Sequence, residues 1–338
     1  MSVTSVSTDI DFEKEGKQSS YLQVPHSRND SAWGKLHIPI VVIKNGEGPT
    51  ILFTGGLHGG EYEGPVALMK LSRQLTGQEI QGRLILIPAL NLPAVVSGQR
   101  LSPIDQKDMN RIFPGDPRGT ISEIIAHYVS ETLVPICDAV IDLHSGGTSL
   151  NLMPYISMHY LDDPEQSKKT LAALKAFQAP VALMIQEIGG EGLLDYYVEQ
   201  QGKIFLCAEL GGMGTLSTYT VQIAETGIDN LLKHFGLIEG DVLSRTNQGL
   251  PETQFMQVPG EEYYCSAPAR GIYETFFEVG ELVEEGQAVG QVHFPQHLEW
   301  TPYQVIVQRS GVLLGRLGPG WVNVGDCVAV LAQHVEKL

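Results

Sequence analysis

From Pro49 onward the apolar positions fall into two alternating patterns. TILFTGG (50–56) is a short apolar run closed by two glycines, and EGPVALMKLSRQL (63–75) follows it with apolar residues at helical spacing and Pro65 in the first turn. This predicts a strand, a loop and a helix. The pattern continues: GRLILIPALN (82–91) reads as a strand, ISEIIAHYVSETLV (121–134) as a helix and DAVIDLHSGG (138–147) as a strand. QSKKTLAALKAFQ (166–178) reads as a helix, and VALMIQE (181–187) and KIFLCAEL (203–210) as strands. Strands alternating with helices predict a three-layer α/β domain with a largely parallel sheet. Ligands of such sheets bind beyond the carboxyl ends of the strands, where His58, Glu61, His144 and Glu209 all fall.

After TVQIAETGIDNLLKHFGL (220–237) the pattern changes to short β-rich segments with frequent glycine, which puts a domain boundary at residue 240 and divides the chain into 1–240 and 241–338. In the second part, GIYETFFEVGELVEEGQAVGQV (271–292) and GVLLGRLGPGWVNVGDCVAVL (311–331) read as related halves. Each is a strand, a V-G-[ED]-x-V turn and another strand. A small all-β barrel or sandwich resembling a lipoyl or biotinyl carrier is the expected form. From Glu261 onward the only lysine is Lys337, so the lysine that bears a carrier's cofactor is lacking and a structural wall or gate is expected instead.

Composition narrows the possible partners. The 43% apolar content of 338 residues supports an ordinary core, and a formal charge of −17 argues against nucleic acid or anionic membrane. No segment has the roughly 18 apolar residues of a membrane helix, and the N-terminal stretch lacks the apolar core of a signal peptide. Cys137, Cys207, Cys265 and Cys327 are far apart and form no C-x-x-C pair, so reduced thiols in a cytoplasmic protein are expected. Oligomeric state is left open, a homo-oligomer included.

The chemistry gathers around few residues. His58 and Glu61, separated by two residues in GLHGGEYEG, form with the distant His144 of DLHSGG a set of two imidazoles and one carboxylate. Zinc hydrolases use this set when a fourth coordination position stays open for water. H-x-x-E alone is weak, but the flanking pairs Gly55-Gly56 and Gly59-Gly60 let the backbone turn tightly beneath an ion. The histidines at 26, 37, 127, 159, 234, 293, 297 and 334 lack such surroundings and read as surface or packing residues.

A hydrolase also needs a base with a pKa near neutrality. Glu209, at the end of the apolar run FLCAE and followed by two glycines, is the candidate, with a structural cap as the alternative. Asn110 and Arg111 in DMNRIFPG offer an amide and a guanidinium for a substrate carboxylate, and Arg100 in SGQRLSP is a second guanidinium. Surface charge accounts for either arginine equally well.

HGGE, DMNRIFPG, DLHSGG and AELGG, in this order and followed by a β-rich region, resemble the succinylglutamate desuccinylase/aspartoacylase family of zinc carboxypeptidase-like amidohydrolases. The resemblance covers nearly the whole chain. It implies a carboxypeptidase-like (phosphorylase/hydrolase-like) catalytic fold and one Zn²⁺ held by His58, Glu61 and His144. It further implies Glu209 as base and acid, Asn110 and Arg111 on a substrate carboxylate, and Arg100 polarising the carbonyl.

Residues 11–65, ending in GLHGGEYEGP, are similar to the family's deacetylases of N-α-acetyl-L-2,4-diaminobutyrate, enzymes of ectoine breakdown. The stretch before Glu209 fits, having no arginine and four acids, Glu187, Glu191, Asp195 and Glu199, available to a substrate ammonium. A solvated acidic face explains any single one of them as well. Deacylation of N-acetylaspartate or succinylglutamate, zinc carboxypeptidase activity, and a metal-dependent binding or scaffold role are the alternatives.

Overall fold

The computed structural model describes residues 4–186 and 190–335, so Glu187 and Lys337 lie outside the described residues. Nine strands build the main sheet: β1 (Gly16–Pro25), β2 (Lys35–Asn45), β3 (Thr50–Gly55), β4 (Gly82–Ile87), β5 (Ala139–His144), β7 (Tyr155–His159), β8 (Val181–Ile185), β9 (Ile204–Glu209) and β10 (Gln254–Gln257), with the short β6 (Leu150–Leu152) off its path. Among them lie helices α1 (Glu63–Gln74), α2 (Leu92–Ser97), α3 (Ile121–Tyr128), α4 (Pro164–Phe177), α5 (Leu194–Gln200) and α6 (Thr218–His234). The segment read as one helix over 121–134 is α-helical only to Tyr128 and widens into a π turn over Val129–Leu133.

The strand order is β1-β2-β4-β3-β5-β9-β7-β8-β10. Its centre, β4-β3-β5-β9, is parallel, whereas β7 runs antiparallel to β9 and β8 and β10 follow β7. The sheet is therefore mixed around a parallel centre.

Period-two alternation divides the core into two sides. Ile51 and Phe53 of β3 and Ile141 and Leu143 of β5 pack with α1, α4 and α6 in one apolar layer. Leu52, Val140 and Phe205 point the other way, into a layer with α3 and α5. Asp142 and His144 continue the Val140 side of β5, and Glu209 continues the Phe205 side of β9. Because His144 pairs in register with Glu209, both reach the same rim on the α3/α5 side.

The C-terminal region contains β11 (Tyr264–Ser266), β12 (Gly271–Thr275), β13 (Leu282–Val283), β14 (Ala288–His293), β15 (Tyr303–Ile306), β16 (Gly311–Leu317), β17 (Trp321–Val322) and β18 (Cys327–His334). Each of the two halves read from the sequence is a strand, a two-residue strand and a second strand, and the short strands are exchanged: β13 pairs with β16 and β17 with β12. The region is continuous with the main sheet, since β18 pairs with β10 and β16 with β6. Its own core includes Tyr263, Val289, Leu313 and Val328. No helix of the described residues is long and apolar enough to cross a membrane.

Candidate active site

The loop after β3 delivers His58 and Glu61 through glycines that no other residue could replace without movement. Gly56 and Gly60 have φ of +64° and +84°, and a Cβ on Gly59 would lie 2.0 Å from the Ala94 carbonyl oxygen. His144 arrives from the end of β5. The ligand atoms of His58, Glu61 and His144 lie within 4.8 Å of one another, and all three residues are buried. Nδ1 of His58 lies 3.0 Å from Glu61 Oε1 and Nδ1 of His144 lies 2.8 Å from Glu61 Oε2. Burial by itself would raise the Glu61 pKa, but the two imidazoles outweigh it and hold the carboxyl well below its usual range.

Each ring is fixed from behind by another carboxylate. His58 Nε2 lies 2.9 Å from Asp108 Oδ1, and His144 Nε2 lies 2.7 Å from Asp142 Oδ2. Asp142 in turn accepts a hydrogen bond from the Thr54 hydroxyl at 2.8 Å. Burial works against a charged His144, yet Asp142 and Glu61 raise its pKa well above the ordinary imidazole value. Two imidazoles and a carboxylate, with carboxylates supporting the outer ring nitrogens, are a donor set suited to a divalent ion such as zinc.

Glu209 stands beside this trio at the end of β9. Its Oε2 is buried and has no hydrogen-bond partner among the described residues. Burial, reinforced by Glu61 and opposed by His144, raises its pKa to about 7. Such a carboxyl exchanges a proton readily at neutral pH.

The arginines are placed differently from each other. Arg100 donates from Nε to Asp108 Oδ2 at 2.9 Å, with NH2 at the same distance, and is thus tied to the carboxylate that holds His58. Arg111 is exposed and donates from NH1 to the Asn110 carbonyl at 2.7 Å. The Asn110 Oδ1 accepts the Leu194 backbone N–H at 3.0 Å, which anchors the start of α5 to the 108–115 loop. Gly192 completes that joint, with φ +93° and its carbonyl accepting from the Phe113 N–H at 2.9 Å.

These side chains line one cavity of about 270 Å³, at the small end of ligand sites. His58, Glu61, His144, Glu209, Arg100, Asn110 and Arg111 all contribute to its wall. So do His159 and Asp195. His159, which reads from the sequence as a surface or packing residue, is in fact buried against the site at the end of β7 and contacts Glu199 at 2.9 Å. Its surroundings arise from the β7 reversal and from α5, neither of which leaves a signal around residue 159. Asp108 and Asp142 also received no role from the sequence, although both lie inside or beside quoted motifs.

The C-terminal region supports the cavity from outside. The Gly318 N–H donates to the Ser149 carbonyl at 2.8 Å, and Gly315 of β16 pairs with Leu152, so the wall over 145–152 is braced by β16. Among the described residues, those lining the cavity all come from before residue 210.

Known proteins are similar to this chain along nearly its whole length. The N-alpha-acetyl-L-2,4-diaminobutyric acid deacetylase of Halomonas elongata is 44% identical over 334 residues, covering 98% of this chain and 96% of the relative. A crystal structure of a succinylglutamate desuccinylase/aspartoacylase from Rhodobacter sphaeroides superimposes with a TM-score of 0.93 at 42% identity, covering 98% of this chain and 99% of the other. The product-bound ectoine utilization protein EutE (DoeB) from Ruegeria pomeroyi gives 0.94 at 39% identity, with the same coverage. The model of the succinylglutamate desuccinylase/aspartoacylase catalytic domain matches residues 47–235, and with that match and those relatives this chain belongs to the succinylglutamate desuccinylase/aspartoacylase family.

Proposed function

We propose that this chain is a zinc-dependent cytoplasmic amidohydrolase that cleaves N-α-acetyl-L-2,4-diaminobutyrate to acetate and L-2,4-diaminobutyrate. The observation that carries this reading is the 44% identity to the Halomonas deacetylase over nearly all of both chains. The buried His58–Glu61–His144 trio with Glu209 beside it supports the hydrolytic part.

His58 and His144 through Nδ1, and Glu61 through a carboxylate oxygen, would hold the ion, which when bound supplies Lewis-acid activation of water and of the amide oxygen. Asp108 and Asp142 keep the two rings oriented. Glu209 takes a proton from the attacking water as oxygen bonds to the acetyl carbon. It then returns that proton to the nitrogen as the C–N bond breaks, and at neutral pH the acetic acid proton is lost to leave acetate beside the amine. Arg111 and the Asn110 amide face the substrate α-carboxylate, a bidentate guanidinium contact being the geometry suited to it. Arg100 acts on the amide oxygen with a guanidinium nitrogen outside its Asp108 pair. The region 241–338 acts as a structural domain, joined to the main sheet through β10 and β18, that braces the cavity wall.

The test is acetate release by zinc-loaded protein from N-α-acetyl-diaminobutyrate, run beside N-acetylaspartate, succinylglutamate and a short peptide. The highest kcat/KM is expected for the first. A preference for either dianionic substrate would overturn the substrate and leave the hydrolytic reading standing, and cleavage of the peptide alone would make the chain a carboxypeptidase.

A further inference from the structure

A substrate with an ammonium at the end of its side chain needs a carboxylate in the cavity that neither the ion nor another protein cation has already taken. Four acids precede Glu209 in the stretch where the chain has no arginine. Glu187 lies outside the described residues, Glu191 is exposed and does not line the cavity, and Glu199 is engaged by His159. Asp195 differs from these. It lines the same cavity as the trio, Asn110 and Arg111, and it lies within electrostatic reach of His159 and His144.

Its hydrogen bonding leaves one oxygen available. Oδ1 accepts the Tyr196 backbone N–H at 2.6 Å, and among the described residues Oδ2 accepts nothing. Its position is set by the joint between α5 and the 108–115 loop, where Leu194, the residue before it, is held by Asn110 at 3.0 Å. The residue that positions Asp195 is therefore the one next to Arg111, so the cavity's anion-binding and cation-binding groups are built on one rigid corner. Burial raises the Asp195 pKa, the cost of a carboxylate that lacks a full partner, and a bound ammonium would relieve it.

Building on the substrate reading above, we infer that Asp195 is the specificity-determining residue that receives the side-chain ammonium of the substrate through Oδ2, while Arg111 and Asn110 hold the α-carboxylate. The two charges of the substrate are then read from the two sides of one loop-helix joint. A neutral side chain of the same shape would leave Asp195 desolvated and unpaired, and a side-chain carboxylate would be repelled.

The experiment compares N-α-acetyl-diaminobutyrate with N-acetylnorvaline, which has a methyl in place of the ammonium, in wild type and in Asp195→Asn. Zinc content is measured for each protein. Wild type is expected to favour the cationic substrate, and in the Asn variant the ratio of the two kcat/KM values is expected to fall about 10- to 100-fold, the range for a hydrogen bond to a charged group. Calorimetric binding of L-2,4-diaminobutyrate against L-norvaline to wild type gives a readout independent of turnover and of the variant's folding, with the diamine expected to bind more tightly.

An Asn variant that loses both substrates in proportion, its ratio unchanged, overturns the role of Asp195 and leaves the substrate reading intact. Wild type that favours the neutral analogue, or that cleaves only dianionic substrates, overturns both.

Discussion

Asp142 Oδ2 lies 2.7 Å from Nε2 of His144, two residues farther along the same strand. Residues two apart share a face of a strand, so β5 itself aims the carboxylate at the ring and turns the opposite nitrogen toward Glu61. Thr54, on the neighbouring strand, keeps the carboxylate in place. Asp108 does the same for His58 from a loop and is in turn paired with Arg100.

These carboxylates set ring tautomer and orientation, so removing one loosens the ion without removing a ligand. Asp142→Asn and Asp108→Asn are each expected to weaken zinc binding about 10- to 100-fold, measured by competition with a chelator. Unchanged affinity in both variants would show that the rings are held by the backbone alone.

Glu209→Gln keeps size and burial but cannot take up a proton. It is expected to retain zinc and to lose about 10²- to 10⁴-fold in kcat. In wild type, kcat/KM should rise with pH as Glu209 ionises. The midpoint should be no higher than about 7, since burial places the group there and a nearby dication lowers it. A Gln variant with near-normal turnover would remove Glu209 from the mechanism.

In the metal-free protein His144 lies between two carboxylates that raise its pKa, so at neutral pH it holds a proton that an incoming ion must displace. Zinc uptake at pH 7 is therefore expected to release protons, and affinity should increase with pH. Titration calorimetry in buffers of different ionisation enthalpy measures the number, and a value of zero would mean that the ring is already neutral.

Glu63, at the start of α1, is a buried carboxyl outside the trio whose pKa burial pushes up to about 7. Below pH 4.5 it is protonated in both folded and unfolded chains. Between there and about 7 the unfolded chain ionises first, so this group's contribution to stability falls as pH rises through the folded value. Glu63→Gln removes that dependence. For metal-free protein, the stability difference between variant and wild type is expected to shift in the variant's favour by about 2–3 kcal/mol from pH 4 to pH 8. Urea denaturation at the two pH values checks it, and a difference that does not change with pH would mean that Glu63 ionises as freely in the folded chain.

Local pattern alone determined the alternation of strands and helices, because burial on one helix stripe or both faces of a strand imposes its period on neighbouring residues. It also marked His58, Glu61, His144 and Glu209, which the fold gathers into one cavity, since glycine pairs and abrupt ends of apolar runs show where strands deliver side chains to a rim. Three things were left to the tertiary structure.

The reversal of β7 against β9 and the joining of β18 to β10 depend on pairings between distant segments, and no local period records them. His159 became part of the cavity wall only through that reversal. Asp195 was separated from Glu191 and Glu199 by the direction of one short helix, set where Asn110 accepts the Leu194 N–H. Charge and residue type can be read along a chain, but which carboxylate lacks a partner depends on what folding brings beside it.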